Sequence, residues 1–556
     1  MNSEPNGEPR LGQVAANSAT DGGKGLTSAA DSPRRNPAQS TRGLRMKRIS
    51  TLRAREIGSE HFLQHRPAPC QAHRDLNEPL RIMKFGGTSV GDASCIARVV
   101  EIITAAARET SLCVVVSAMA GVTNRLIEAA SKAEAGRTQD FAEIFDDLRS
   151  QHETAVSALI ESFEDRRQIL NQMHRLFEEG ERLCQGTLLL RELTPRVRDS
   201  VSSLGERLSA PLMSAALAQN GVRSVAIEAT ELIVTDSCHG AADPWMDLTR
   251  ERCEVCLRPL LQQGTVPIVT GFIGASPDGI LTTLGRGGSD YSATILGAAL
   301  DADEVVIWSD VDGLMTADPR LVPGACTIAE ISYREAAELA YFGAKVLHPK
   351  TLRAVMRHGI PLWIRNTFAP ELPGTKITPE GLSSGGGVRS LAASRDVALI
   401  TVGGQGSVGV PDVLGRTFAT TSAVRADVLL ISQASSQNDI CLVVPSADAT
   451  RTVEALRHEF AQDLAHENVE HITVDSTVAI VTVVGQNMKA TPAIIGRTFA
   501  ALGRENVNII AISQGSSECN ISFVVPKEDV EKALVTTHRE FDLALVNSQH
   551  LTSSSV

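Results

Sequence analysis

From Arg81 onward the chain alternates two kinds of hydrophobic pattern. Short apolar runs rich in β-branched residues, "RIMKF" (81–85), "LCVVVSAM" (112–119), "TVPIVTGFI" (265–273) and "EVVIWSDV" (304–311), have the composition of strands buried on both faces. Between them, apolar residues recur at three- and four-residue spacing. The longest such stretch carries Phe141, Ile144, Phe145, Leu148, Val156, Leu159, Ile160 and Phe163 and predicts a helical stripe that packs in the core. Strands alternating with helices predict an α/β fold, a mainly parallel sheet sandwiched by helices, with ligands gathered at the carboxyl ends of the strands.

The last part of the chain repeats itself. "ITVGGQ" at Ile400 returns as "VTVVGQ" at Val481, "GRTFA" at Gly415 returns at Gly496, and "SQASS" at Ser432 returns as "SQGSS" at Ser513, always 81 residues later. Each copy reads as a strand, a helix, two strands around a Ser-rich turn and a further helix, the order of a βαββαβ unit. Two such units side by side leave a ligand crevice between them. The domain reading is 1–78 leader, 79–375 catalytic domain, 390–470 first repeat unit and 471–550 second unit, with interleaving of the two units left open.

The leader differs in composition. Residues 1–78 are rich in Ser, Ala, Gly, Pro and Arg, and eight basic and no acidic residues lie between Arg34 and Arg55. Such a segment cannot bury enough apolar surface to fold. It reads as a disordered extension or an upstream start, with a transit peptide as the alternative. For the chain as a whole, a formal charge of -12 gives no general attraction for a phosphate backbone, so nucleic acid is not expected as a partner. No apolar run approaches the roughly 18 residues of a membrane span. Ten scattered cysteines fit a reducing, cytoplasmic setting, with plastid import through the leader as the alternative. Cys253 and Cys256 have CxxC spacing but no second pair to complete a zinc site, so no metal-ligating set is expected there.

Glycine-rich turns between a strand and a helix let backbone N–H groups approach phosphate oxygens. Lys84 with Gly86 and Gly87, Arg286 with Ser289 and Asp290 in "TTLGRGGSDYSA", and Lys345 in "FGAKVLHP" are such turns, in order along the βα series. Three cations in an acidic chain can converge on a triphosphate and a carboxylate substrate. Each alone is more often a solvated turn.

Together, "KFGGTSV", "VVSAMAGVTN", "LGERLSAPL", "GFIG", "TTLGRGGSDYSA", "WSDVDGLMTADPR" and "SYREAAELAYFGAKVLHP" resemble the aspartate kinases of the amino acid kinase family. The duplicated tail resembles their tandem ACT domains, two α+β ferredoxin-like units. The likeness is greatest to the kinase portion of bifunctional aspartate kinase/homoserine dehydrogenases, and a chain ending at Val556 leaves no room for the dehydrogenase. The resemblance implies ATP and Mg2+ as cofactors and L-aspartate as substrate, its side-chain carboxylate becoming 4-phospho-L-aspartate, the entry to lysine, threonine and methionine. By the same resemblance Lys84, Gly86 and Gly87 reach the phosphates and Asp290 orients the lysines rather than holding a metal. Ser309, Asp310, Asp318, Arg320 and Lys345 fall where the family holds the nucleotide. Ser117, Thr123, Glu206, Arg286 and Ser289 fall where it holds the amino acid, Glu206 facing the ammonium group. From the residues alone, Glu206 reads as a surface helix charge. Asp310 and Asp312 have the look of a calcium loop but lack its later ligands.

In the tail, Ile431 with Gln433 and Ile512 with Gln514 occupy equivalent points of the two copies. The resemblance makes them effector contacts, with threonine favoured as inhibitor and lysine the alternative; read alone, both glutamines cap turns. Association through the ACT sheets into a homo-oligomer is expected. Rival readings are a catalytically dead sensor, a glutamate kinase and an acetylglutamate kinase.

Overall fold

The computed structural model describes residues 79–342, 347–381, 387–403, 410–433, 439–488, 491, 493–514 and 519–544. The basic leader and Lys345 lie outside the described residues.

The first part is built on ten strands: β1 (Leu80–Phe85), β2 (Ser111–Val116), β3 (Ser224–Ile227), β4 (Val266–Thr270), β5 (Ile273–Ala275), β6 (Leu281–Thr283), β7 (Glu304–Ser309), β8 (Glu330–Ser332), β9 (Leu362–Asn366) and β10 (Thr375–Thr378). Eight of them form one sheet in the order β3-β4-β2-β1-β7-β9-β10-β8, parallel throughout except for the β9/β10 pair, while β5 and β6 form a separate hairpin. The expected mainly parallel sheet is therefore present. The run "TVPIVTGFI" is split between β4 and β5 at Phe272, whose φ of 69° turns the chain.

Side-chain alternation assigns the two faces. Ile82, Val305 and Ile307 pack with Ile295 and Leu296 of the helix Gly288–Leu300. Met83, Val306 and Trp308 belong to the opposite core, with Ile96, Phe145 and Leu148. The predicted stripe is core through Leu159 and Ile160, although the helix itself stops at Leu159, and needs correction after that. The helix Thr138–Leu159 ends at Ile160, which is extended and buried, and Ser162 caps a new helix, Phe163–Leu190. That restart turns Phe163 outward, 75 % exposed, so it is a surface residue and not core.

The second part has β11 (Gly387–Ser394), β12 (Val397–Gly403), β13 (Leu430–Gln433), β14 (Ile440–Pro445), β15 (His471–Asp475), β16 (Val478–Gln486), β17 (Ala511–Ser513) and β18 (Asn520–Pro526). They form two antiparallel sheets, β13-β14-β12-β15 and β11-β16-β18-β17. Strand pairing divides the copies differently from a cut near residue 470. β11 precedes the first copy yet pairs with β16 of the second, and β15, just past that cut, pairs with β12 of the first. Among the described residues no helix is long and apolar enough to cross a membrane.

The helix Gly288–Leu300 sits so close to the sheet that a Cβ on Gly297 would come within 2.7 Å of Val305 Cγ2. Val305 is fully buried in β7 and cannot move aside without disturbing the sheet. Gly297→Ala is therefore expected to destabilise the fold by about 1–3 kcal/mol through overpacking. Thermal unfolding measures this; an unchanged midpoint contradicts the packing.

Candidate active site

The carboxyl ends of the parallel strands are stitched together beyond the sheet itself. Gly86 N donates to Trp308 O at 3.1 Å, Ser117 N to Phe85 O at 3.1 Å, Gly271 N to Val116 O at 2.9 Å and Thr367 N to Ser309 O at 2.8 Å. The turns after β1, β2, β4, β7 and β9 thus share one rim, where ligands of open α/β sheets bind.

At its centre Lys84 Nζ lies 2.5 Å from Asp290 Oδ1, an ion pair with both side chains largely buried, 10 % and 13 % exposed. Lys84 is the penultimate residue of β1, and Asp290 is in the first turn of the helix Gly288–Leu300. The turn feeding that helix needs Gly287 at φ 68°. A side chain there would also meet His348 Cβ at 2.7 Å. Lys84 Nζ is 3.4 Å from where a Gly86 Cβ would stand, so the ammonium group hangs over the phosphate-type loop.

Glu206 approaches from another direction. It lies in the first turn of the helix Leu204–Gln219 and is 3 % exposed, which rules out a surface helix charge. Gly205 brings it in: a Cβ there would meet Ala118 Cβ at 2.6 Å and Thr123 Oγ1 at 3.5 Å. Burial pushes the Glu206 carboxyl up to about 8, against the opposing pulls of the Ala118 and Glu206 backbone N–H groups and the Lys84 charge. Among the described residues its Oε2 has no hydrogen-bond partner. A buried carboxyl oxygen with no donor is costly on its own and suits an incoming cationic group.

Of the residues expected from the sequence, Lys84, Gly86, Gly87, Ser117, Thr123, Glu206, Ser289 and Asp290 share this rim. Ser289 is close enough to β4 that a Cβ on Gly271 would come within 2.6 Å of its Cβ. Arg286 is exposed at the tip of the same turn. On the β7 side, Ser309 Oγ donates to Asp310 Oδ1 at 3.1 Å and Asn366 Nδ2 to Asp312 Oδ1 at 2.6 Å. Asp318 and Arg320 lie further along that loop and pair with each other, through Nε at 2.9 Å and Nη2 at 2.6 Å. The Arg320 hydrogen bonds hold the Asp318 carboxyl below the usual range.

Two neighbours of the site carry no sequence signal for it. Asp199, 3 % exposed, accepts from Thr283 Oγ1 at 2.7 Å, Thr283 N at 3.2 Å and Gly240 N at 3.1 Å, and pairs with His239 Nδ1 at 2.8 Å. It thereby anchors β6 immediately before the Arg286 turn. His348 caps the helix Pro349–His358, its Nδ1 accepting from Lys350 N at 3.2 Å. Burial, then Lys350 and Arg286, lower its pKa, while Asp290 opposes them. The imidazole is thus held neutral beside Arg286.

In the tail, β13 and β17 are edge strands of their sheets and run beside each other. Ile431 and Ile512 on them are 43 % and 46 % exposed, and Gln433 and Gln514 are also exposed. The tail grips the catalytic part at several points. Gln486 Nε2 donates to Glu335 Oε2 at 3.1 Å, Tyr341 OH to Val428 O at 3.1 Å, and Thr316 Oγ1 is 2.9 Å from His538 Nε2. Glu335 and Tyr341 are on one helix, Tyr333–Tyr341, directly before the segment that holds Lys345.

Residues 79–366 match the amino acid kinase family, and 400–460 and 481–541 each match the ACT domain. The chain is 36% identical over 469 residues to an Arabidopsis thaliana bifunctional aspartokinase/homoserine dehydrogenase 2, chloroplastic, covering 83% of this chain and 51% of that one. It is 33% identical over 473 residues to Arabidopsis thaliana aspartokinase 1, chloroplastic, covering 83% and 80%. Escherichia coli aspartokinase III in complex with aspartate and ADP superposes with a TM-score of 0.72 at 31% identity, covering 83% of this chain and 100% of that one. The same enzyme in complex with lysine and aspartate gives 0.67 at 30% identity, covering 83% and 99%. The chain belongs to the amino acid kinase family and, within it, to the aspartate kinases with a tandem ACT tail. It spans about half the length of the bifunctional relatives.

The raised Glu206 pKa has a measurable consequence. The native chain holds this proton through neutral pH while the unfolded chain releases it, so stability present below about 4.5 is lost as pH rises through about 8. Glu206→Gln does not suffer that loss. Its advantage over the parent chain is expected to be absent near pH 4.5 and to grow to roughly 3–5 kcal/mol above pH 8. Thermal melts of the two proteins across that range read it directly, and a constant difference contradicts it.

Proposed function

We propose that the chain transfers the γ-phosphoryl group of ATP to the side-chain carboxylate of L-aspartate, giving 4-phospho-L-aspartate and ADP. The observation that carries this reading is the Lys84–Asp290 ion pair beside the buried Glu206 carboxyl, whose Oε2 has no hydrogen-bond partner among the described residues. A carboxylate with a reference pKa of about 3.9 is already a nucleophile at neutral pH and needs no general base. One of its oxygens attacks the γ-phosphorus as the bond to the ADP oxygen breaks. The difficulty is repulsion between two anions, which positioning and charge stabilisation must overcome.

Lys84 supplies positive charge where the phosphoryl group passes, and Asp290 holds its Nζ in place. The Gly86–Gly87 turn faces the phosphates, with the Gly87 N–H as donor, since Gly86 N already donates to Trp308 O. Glu206 takes the substrate ammonium, which favours the ionised carboxylate that burial otherwise opposes. Arg286 and Ser289 take carboxylate oxygens, the planar guanidinium offering two parallel donors. Ser117 and Thr123 line the amino acid side of the rim. Ser309, Asp310, Asp318, Arg320 and Lys345 serve the nucleotide. Mg2+, if bound, would supply positive charge to the phosphates. Such an ion keeps most of its shell as water and phosphate and needs one or two carboxylates, a task exposed Asp310 fits.

An amino acid effector bound at the neighbouring edge strands of the two ACT units, at Ile431, Gln433, Ile512 and Gln514, regulates this reaction. Threonine is favoured and lysine is the alternative, lysine being the ligand of the Escherichia coli relative. A cytoplasmic homo-oligomer joined through the ACT sheets completes the reading.

Hydroxylamine trapping of the acyl phosphate, with L-aspartate, L-glutamate and N-acetylglutamate compared, tests the activity. Aspartate alone should react, and Lys84→Ala in a folded chain should lose about 100-fold or more in kcat. Activity confined to glutamate, or undiminished turnover without Lys84, overturns the assignment. Isothermal titration with threonine and lysine tests the effector: threonine is expected to bind, and Gln433→Ala with Gln514→Ala to weaken it. Lysine binding without threonine binding reverses that choice.

A further inference from the structure

Among the side chains read as substrate contacts, Arg286 alone is exposed, at the tip of the turn between β6 and the helix Gly288–Leu300. A long exposed side chain aims no better than the backbone beneath it. That backbone is gripped on both flanks. Gly285 has φ 82°, and a Cβ there would come within 2.9 Å of Gly240 O. Gly287 has φ 68°, and a Cβ there would come within 2.7 Å of His348 Cβ. Glycine at both positions lets the turn take this conformation and lets its neighbours press against it.

One side chain holds the Gly240 flank and the strand that leads into the turn. Asp199 Oδ2 accepts from Gly240 N at 3.1 Å and from Thr283 N at 3.2 Å, and lies 2.8 Å from His239 Nδ1. Its Oδ1 accepts from Thr283 Oγ1 at 2.7 Å. The two segments so joined are also bonded to each other, because Ala242 N donates to Thr283 O at 2.9 Å. Lys350 Nζ carries the loop across to the helix Pro349–His358, donating to Ala241 O at 3.3 Å and to Asp243 Oδ1 at 3.2 Å. That helix begins directly after His348, the residue on the other flank.

Asp199 is joined equally closely to the ammonium side. It belongs to the helix Pro195–Ser202, and its carbonyl oxygen accepts from Ser203 N at 3.0 Å. Leu204 then opens the helix that carries Glu206. A carboxylate only 3 % exposed is tolerated because every group around it satisfies it. The phosphoryl transfer itself makes no use of that charge. We propose that Asp199 is a positioning residue of the amino acid subsite, holding the Arg286 turn at a set separation from Glu206 so that guanidinium and carboxyl receive one substrate together. The inference rests on the reading of Arg286 and Glu206 as aspartate contacts. Loosening this brace lowers the affinity for aspartate and leaves the nucleotide side, on the β7 loop, in place.

Steady-state kinetics of the full chain separate binding from turnover. Asp199→Ala is expected to raise KM for aspartate about tenfold or more, with kcat and KM for ATP within about twofold of the parent, the pattern of lost uniform binding. Asp199→Asn can keep its carbonyl oxygen toward His239, Gly240 N and Thr283 N while its amide donates to Thr283 Oγ1. It should therefore recover affinity to within about threefold of the parent. Thr283→Val removes one of the four contacts and is milder than alanine at 199; its KM for aspartate should rise about threefold, which keeps the test open where Asp199→Ala does not fold. Circular dichroism checks each variant. An unchanged KM for aspartate in folded Asp199→Ala or Thr283→Val, an equal rise in KM for ATP, a fall in kcat alone, or an asparagine variant no better than alanine overturns the proposal. A parent chain inactive on aspartate removes the substrate reading and this proposal with it, whereas an active parent with unaltered variants refutes this proposal alone.

Discussion

The contact between Lys84 and Asp290 joins two elements that do not otherwise share a purpose, the second-last position of a central strand and the first turn of a buried helix. A lone ammonium at 10 % exposure is expensive to desolvate, and its carboxylate partner repays that cost only if the geometry is held from both sides. The fold holds it from both. β1 is clamped between β2 and β7, and the helix is pressed onto the sheet through Gly297. Glu206 and the glycine turns are arranged around that fixed charge.

What the sequence made legible followed from short-range chemistry. β-branched runs gave the strands of the parallel sheet, and glycines beside a lysine or arginine marked the turns on its rim. Burial was less legible. Glu206 looks like any acidic residue in a helix until Gly205 is seen to lie against Ala118, and Asp199 acquires its role only when β6 folds back beside it. Phe163 shows the reverse error: spacing placed it in the stripe, but Ser162 capped a new helix and rotated it outward. Residue patterns report which face of one element is apolar. They do not report where another element arrives.

The regulatory tail and the catalytic rim meet through polar contacts at separate places. Gln486 bonds to the buried Glu335, and the carboxyl end of the same helix reaches Val428 of the other copy through Tyr341. His538 meets Thr316 in the loop that also carries Asp318 and Arg320. Both copies therefore touch the helix that precedes Lys345, and the second also touches the loop that follows β7. A shift between the copies has two physical routes to the rim, which is the arrangement a two-state coupling requires.

The early placement of β11 decides how the tail can be taken apart. The polypeptide enters the second sheet first, leaves to build the whole of the first, and only then returns to finish what it began. No single scission between the copies yields two intact modules. A chain ending after Asp475 retains all strands of the first sheet but strips β11 of β16, its sole neighbour, baring the Val388 and Leu391 side chains together with an unpaired row of backbone donors. Such a fragment is an open invitation to intermolecular strand addition, so the two copies stand or fall as one folding unit.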